Sequence, residues 1–277
     1  MNLLQILLLA LVQGAAELLP VSSSAHVIVA EKLMGLDPTT PALTLLLVML
    51  HTGTMFAVIV YFWSAWRATY FSSMSAFRLN ALQVVVATLA TGVIGLALLA
   101  LLGRLAGTQG FEVEQLFGNA RLMAAALAAA GMLIIYAGRA RPVEGGELSL
   151  ARAAWIGLVQ GLCLPFRGFS RSGATISTGL VLGVARRRAE EFSFALAVAL
   201  TPAVILREAY RLYRAEVATG HASSLLKTAG PSLVGMLLSF VAGLVALRWL
   251  SRWLEQGRWQ YFGVYCLGAA LIVLWVG

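Results

Sequence analysis

The sequence predicts an all-α integral membrane protein, with six transmembrane helices and two re-entrant helical hairpins in an inverted-topology repeat. Three observations predict it: a composition too apolar for a soluble domain, a series of charge-free runs of spanning length, and an internal repeat at an offset of 147 residues. Hydrophobic residues make up 60% of the 277 and charged residues only 12%, where soluble domains carry about 25% charged. Mean hydropathy is +0.86. The net charge is +8, but the basic residues sit in short gaps between apolar runs. That is the pattern of positive-inside topology and of contact with anionic lipid headgroups. Nucleic-acid binding is excluded, since no basic domain lies outside the membrane to carry it.

The elements follow in order. Asn2 to Leu19 and Ser24 to Leu36 are apolar but too short to span, and Pro20-Val21-Ser22-Ser23 breaks them apart. This reads as a re-entrant hairpin, because non-helical backbone at membrane depth is tolerated only where it is buried in protein or lines a cavity. The N-terminal run lacks the basic start of a secretory signal and is read as retained. Leu43 to Phe62, Ala81 to Gly103 and Leu122 to Gly138 follow as spans, each near the ~20 apolar residues a crossing needs. Ala153 to Phe166 and Gly173 to Ala185 form the second hairpin, broken at Arg167-Gly168-Phe169-Ser170-Arg171-Ser172. Phe192 to Leu206, extended by snorkelling Arg207 and Arg211, then Thr228 to Leu247 and Trp259 to Gly277 complete the six.

The repeat carries Leu11-Val12-Gln13-Gly14 onto Leu158-Val159-Gln160-Gly161, Ser23 onto Ser170, and Trp66-Arg67-Ala68 onto Tyr213-Arg214-Ala215. Residues 1–140 and 141–277 are therefore two halves of one membrane domain, each a hairpin plus three spans. Three crossings make the second half enter from the opposite face, and such repeats place their working site between the halves at the midplane. Eleven basic residues fall on the side opposite the termini and seven on the termini's own side, which orients both termini outward. Arg186-Arg187-Arg188, ahead of Glu190-Glu191, reads as a lipid-facing topology signal. Cys163 and Cys266 read as buried unpaired thiols. Glu112, Glu114, Glu144 and Glu147 read as solvated loop residues, and His221 takes no role.

Ionisable groups at membrane depth are expensive and point to function. Glu17, His26, His51, Arg167 and Arg171 are such groups, and four of the five lie at the two hairpin breaks. Gln13 and Glu17 are four apart and share a helix face. Ser22, Ser23, Ser24 and His26 follow, so a nucleophile, an acid or base, and a carboxylate to orient it or hold a metal stand within one hairpin. Helix capping alone accounts for the serines but leaves Glu17 and His26 unexplained. Gly168-Phe169-Ser170-Arg171-Ser172-Gly173-Ala174-Thr175 reads as an anion cradle of backbone amides, a helix N-terminus and a guanidinium, suited to phosphate. His51 reads first as a satisfied buried histidine and otherwise as a pocket-lining group.

These two segments resemble the undecaprenyl-diphosphate phosphatase (bacitracin-resistance) family: Gln13-x-x-x-Glu17 with its Ser/His segment, and Gly168 to Thr175 as the second motif, PGxSRSxxT. Arg167 departs from that motif, standing where the family has Pro, with Pro165 nearby. It either binds substrate or snorkels. The resemblance implies hydrolysis of undecaprenyl diphosphate to the monophosphate, recycling the carrier lipid for cell-wall synthesis in a bacterial inner membrane. It places Glu17, Ser23, His26 and Arg171 in the active site as catalytic residues, with Gln13, Ser22, Ser170, Ser172 and Thr175 around them; Gly168 and Arg167 are this chain's further candidates for binding substrate. It also implies a divalent cation, Mg2+ or Ca2+, with Glu17 and Gln13 as candidate ligands. Ser23 and His26 both remain candidates for the nucleophile, and Glu17 is expected to orient His26 or to bind the metal. The alternative class is a transporter or flippase of a polyprenyl phosphate lipid, whose architecture also uses inverted repeats and broken helices.

Overall fold

The computed structural model describes residues 2–37, 40–106, 119–140, 145–218 and 222–276. Glu112, Glu114, Glu144 and His221 lie outside the described residues. Among the described residues the chain forms ten helices and no strand: α1 (Leu3–Leu18), α2 (Ser23–Leu33), α3 (Pro41–Tyr70), α4 (Met74–Ala106), α5 (Ala120–Gly138), α6 (Leu150–Leu162), α7 (Arg171–Val181), α8 (Arg186–Ala218), α9 (Ala222–Glu255) and α10 (Gln260–Val276).

Local chemistry sets these limits. Asn2 and Gln5 form a reciprocal capping box on α1, and Ser149 caps α6 by accepting from Arg152 N, so each hairpin enters on a satisfied N-terminus. Pro41 stands in the first turn of α3, where its missing N–H is harmless. Pro202 and Pro231 lie inside α8 and α9, a position tolerated in membrane helices.

Five segments are long and apolar enough to cross a bilayer: Ala42–Tyr70, Met74–Leu105, Ala120–Gly138, Arg186–Arg214 and Ala229–Glu255. The protein is a multi-pass helical membrane protein. The segment expected as the last span forms α10, a shorter apolar helix of 17 residues, or roughly 26 Å at 1.5 Å per residue. The hairpin helices α2 and α7 have 11 residues each and cannot cross. Large apolar side chains face outward along α4 (Leu89, Val93, Leu96), α9 (Leu237, Val241, Val245) and α10 (Leu271, Ile272, Trp275), as lipid-facing surfaces require.

The first helix of each interrupted pair packs on a helix distant in sequence. α1 lies on α9, and α6 on α4, while α3 also packs on α9 and α5 on α10. Two glycines related by the repeat allow the first pair of contacts. A Cβ on Gly14 would stand 2.6 Å from Ala242 Cβ and 2.8 Å from Ser239 O; one on Gly161 would stand 2.8 Å from Ile94 Cβ and 2.9 Å from Thr91 O. Small residues let membrane helices approach this closely.

The basic triplet does not simply face lipid. Arg188 donates to Asn80 Oδ1 and, at 3.2 Å, to Gln83 Oε1, and its guanidinium lies 5.2 Å from the Tyr70 ring centroid. Arg187 Nε donates to Glu191 Oε1 at 3.0 Å, and Arg186 Nη1 to Glu255 O at 3.1 Å. Glu190 and Glu191 are buried. Tyr61 OH donates to Ser251 Oγ at 2.9 Å, and Ser251 Oγ to Glu190 Oε1 at 2.6 Å. The physical reason is pairing: these charges staple the ends of α3, α4, α8 and α9 together, and a buried charge persists only with such partners. Glu147 is exposed, as expected. Both cysteines are free; Cys266 is buried and Cys163 half-buried.

Candidate active site

Two interrupted helix pairs build the site. Helix α1 stops at Leu18, ahead of Pro20, and Ser22 takes φ +68° before α2 begins. A non-glycine residue in this region is strained and clusters at functional sites. In the second pair, Gly168 takes φ +103°, and an added Cβ would stand 2.3 Å from Met123 O. Only glycine fits this turn. Gly168→Ala is therefore expected to destabilise the protein by about 3 kcal/mol, read as a lower unfolding temperature in detergent. An unchanged transition would contradict the turn geometry.

Glu17, in the last turn of α1, is the hub. Its Oε1 accepts from Arg171 Nη2 at 2.9 Å, so one ion pair joins the two breaks, 154 residues apart. Its Oε2 accepts from Ser23 Oγ at 2.5 Å and from Gln13 Nε2 at 3.2 Å. His51 Nε2, on α3, lies 3.7 Å from the same oxygen. The His51 Nδ1–H donates to Leu47 O at 2.8 Å, which leaves Nε2 with the lone pair in the neutral ring. Gln13 is fully buried, while Glu17 and Arg171 are partly open.

His26 is placed differently. Its Nδ1–H donates to Ser22 O at 2.8 Å, and its Nε2 pairs with Tyr265 OH at 2.7 Å. Glu17 thus engages Ser23, Gln13 and Arg171, while both ring nitrogens of His26 are taken by Ser22 O and Tyr265 OH. His26 lines a cavity of about 720 Å³ with Val12, Ala15, Leu19, Trp253 and Tyr265. The wall is apolar, with Arg258 among its few polar groups.

The remaining expected residues hold the frame. Ser22 Oγ lies 3.3 Å from Ser24 Oγ. Ser170 caps α7, its Oγ accepting from Gly173 N at 3.2 Å. Ser172 Oγ donates to Leu19 O at 3.3 Å, tying the second hairpin to the first. Thr175 Oγ1 bonds Arg171 O at 2.8 Å and Ser193 Oγ at 2.6 Å. Ser170, Ser172 and Thr175 are all buried. Arg167 is exposed and acts electrostatically on the buried Glu31 of α2. Sequence reasoning missed Tyr265 and Ser193, and offered His51 as a pocket-lining group only as its second reading.

A carboxylate, a hydroxyl and a guanidinium converge here from helices of opposite halves. The family model described as bacitracin resistance protein BacA matches residues 6–272. The chain belongs to the BacA family. Undecaprenyl-diphosphatase 2 of Acinetobacter baylyi is 59% identical over 99% of this chain and 98% of its own. The undecaprenyl-diphosphatase of Desulfosudis oleivorans is 36% identical over 100% of this chain and 99% of its own. That of Korarchaeum cryptofilum is 32% identical over 99% of each chain. The matches run through both hairpins, so membership of the BacA family extends over both broken helix pairs and the five long helices together.

Proposed function

We propose that this BacA-family protein hydrolyses undecaprenyl diphosphate to undecaprenyl phosphate and inorganic phosphate, recycling the carrier lipid for cell-wall synthesis. The observation that carries the reading is the Glu17–Arg171 ion pair with Ser23 at 2.5 Å from the same carboxylate. A nucleophile, a proton acceptor and a phosphate-binding cation then stand together between two halves of the chain. The names of the relatives support the same substrate.

In this reading Ser23 Oγ attacks the terminal phosphorus. The new O–P bond forms as the bridging P–O bond to the lipid monophosphate breaks, and the hydroxyl proton passes to Glu17. Arg171 holds the transferring phosphoryl oxygens through the N–H groups that Glu17 does not use, stabilising charge as it develops. Water then attacks the phosphoserine, His51 Nε2 takes its proton, and Glu17 returns the serine proton as phosphate leaves. The isoprenyl chain lies in the adjoining apolar cavity, at whose edge His26 stands.

A divalent cation fits this donor set in one way. No group of three or more His, Cys, Asp or Glu side chains is clustered for metal binding among the described residues. Glu17 is the carboxylate available, with the Gln13 amide beside it. Mg2+ is commonly held by one or two carboxylates and substrate phosphates, not by an all-protein cage. Glu17 and Gln13 would hold the ion together with the diphosphate. Its contribution when bound is neutralisation of phosphate charge. Chelation is expected to stop turnover, and Mg2+ or Ca2+ to restore it; turnover unaffected by a chelator would remove the ion from the reaction.

The architecture proposed is six spans, counting α10, plus two re-entrant hairpins, with both termini on the outer face of the inner membrane. The reciprocal packing of α1 on α9 and of α6 on α4 supports the inverted repeat. Asn2→Cys and Gly145→Cys, each in a background lacking Cys163 and Cys266, are expected to label from opposite faces with an impermeant thiol reagent. Labelling from one face would mean an even number of crossings and break the repeat.

A further inference from the structure

We propose that Tyr265 is a positioning residue for His26, fixing the imidazole's tautomer and direction at the edge of the lipid cavity. The inference rests on His26 acting in the site. A carbonyl can only accept, so the 2.8 Å bond to Ser22 O puts the proton of the neutral ring on Nδ1. Nε2 is then the acceptor for the Tyr265 phenol at 2.7 Å. The rings also stack, with centroids 5.6 Å apart and planes 12° from parallel. Both nitrogens and the ring face are thereby constrained, one of them by the backbone of Ser22, itself held at φ +68°.

The partner is held just as firmly. Cys266, the next residue, donates its thiol to Pro20 O at 3.3 Å, which pins α10 to the break of the first hairpin. That contact fixes the register of Tyr265 against His26. The Tyr265 ring lines the apolar wall, and its hydroxyl bonds Nε2. The bond spans 239 residues and joins α10 to α2. An isoprenyl chain in the cavity, whose wall includes Leu19, Trp253, Phe262 and the Tyr265 ring, would lie against the group that aims His26. Chain binding and imidazole placement therefore meet at one side chain.

Tyr265→Phe tests this, since it removes the hydroxyl and keeps the ring. On undecaprenyl diphosphate kcat is expected to fall about tenfold with KM within about twofold, less than the 10²–10⁴ attributed to a general acid–base itself. Ring 15N resonances of labelled histidine supply a second readout. The chain has three histidines, and His26→Gln identifies the signal of interest. Wild-type protein is expected to show His26 as the Nδ1–H tautomer, and Tyr265→Phe to show a mixture. Unchanged kcat with an unchanged 15N signature would overturn the proposal, as would a rise in KM alone, which would make Tyr265 only a contact for the lipid chain. His26→Gln separates the two levels. Full turnover there removes His26 from the site, and the present inference with it. Loss of turnover there, with wild-type behaviour in Tyr265→Phe, overturns this inference alone.

Discussion

Glu17→Gln is expected to lower phosphate release about a thousandfold while leaving the protein folded. Glutamine keeps the volume and can still bond Arg171 or Ser23, but it cannot take the serine proton or balance the guanidinium. Positioned proton transfer contributes 10²–10⁴, and here the same group also orders the nucleophile and the phosphate-binding cation. Arg171 is partly open to solvent, so losing its counter-charge should not unfold the hairpins. Phosphate release beside gel filtration in detergent checks both halves of the expectation. Near wild-type rates would remove Glu17 from the chemistry.

Arg171→Lys should follow, with turnover reduced about a hundredfold despite the retained charge. The 2.9 Å bond from Nη2 to Glu17 uses one part of the guanidinium and leaves the rest of the planar fork for phosphate oxygens. A lysine ammonium is a single point and cannot keep the ion pair while gripping two oxygens. Steady-state kinetics decides this, read as transition-state against ground-state loss. Full activity in Arg171→Lys would reduce Arg171 to a point charge.

Much of this site was legible in the sequence because the membrane penalises polar groups so heavily. Glu17, Ser23 and Arg171 stood out as polar residues at breaks in apolar runs, and the 147-residue offset paired the two breaks before any contact was known. Local pattern could not say which way each side chain turns. Glu17 and His26 are nine residues apart across a proline break, and the imidazole pairs with Ser22 O and Tyr265 OH. Tyr265 was invisible because its partner lies 239 residues away. His51 was ambiguous because a lone histidine in a span reads the same whether it packs or faces a carboxylate. The arginine triplet misled for a similar reason: a basic cluster at a helix start looks alike whether it meets headgroups or the buried Asn80 and Glu191.

The most direct test is inorganic phosphate release from undecaprenyl diphosphate by the purified protein in detergent with Mg2+ or Ca2+. The expected result is one phosphate per undecaprenyl phosphate formed, with release about a thousandfold lower in Glu17→Gln. No release by folded wild-type protein, or equal release by Glu17→Gln, would contradict the proposal that this carboxylate-centred cluster is a lipid diphosphatase site.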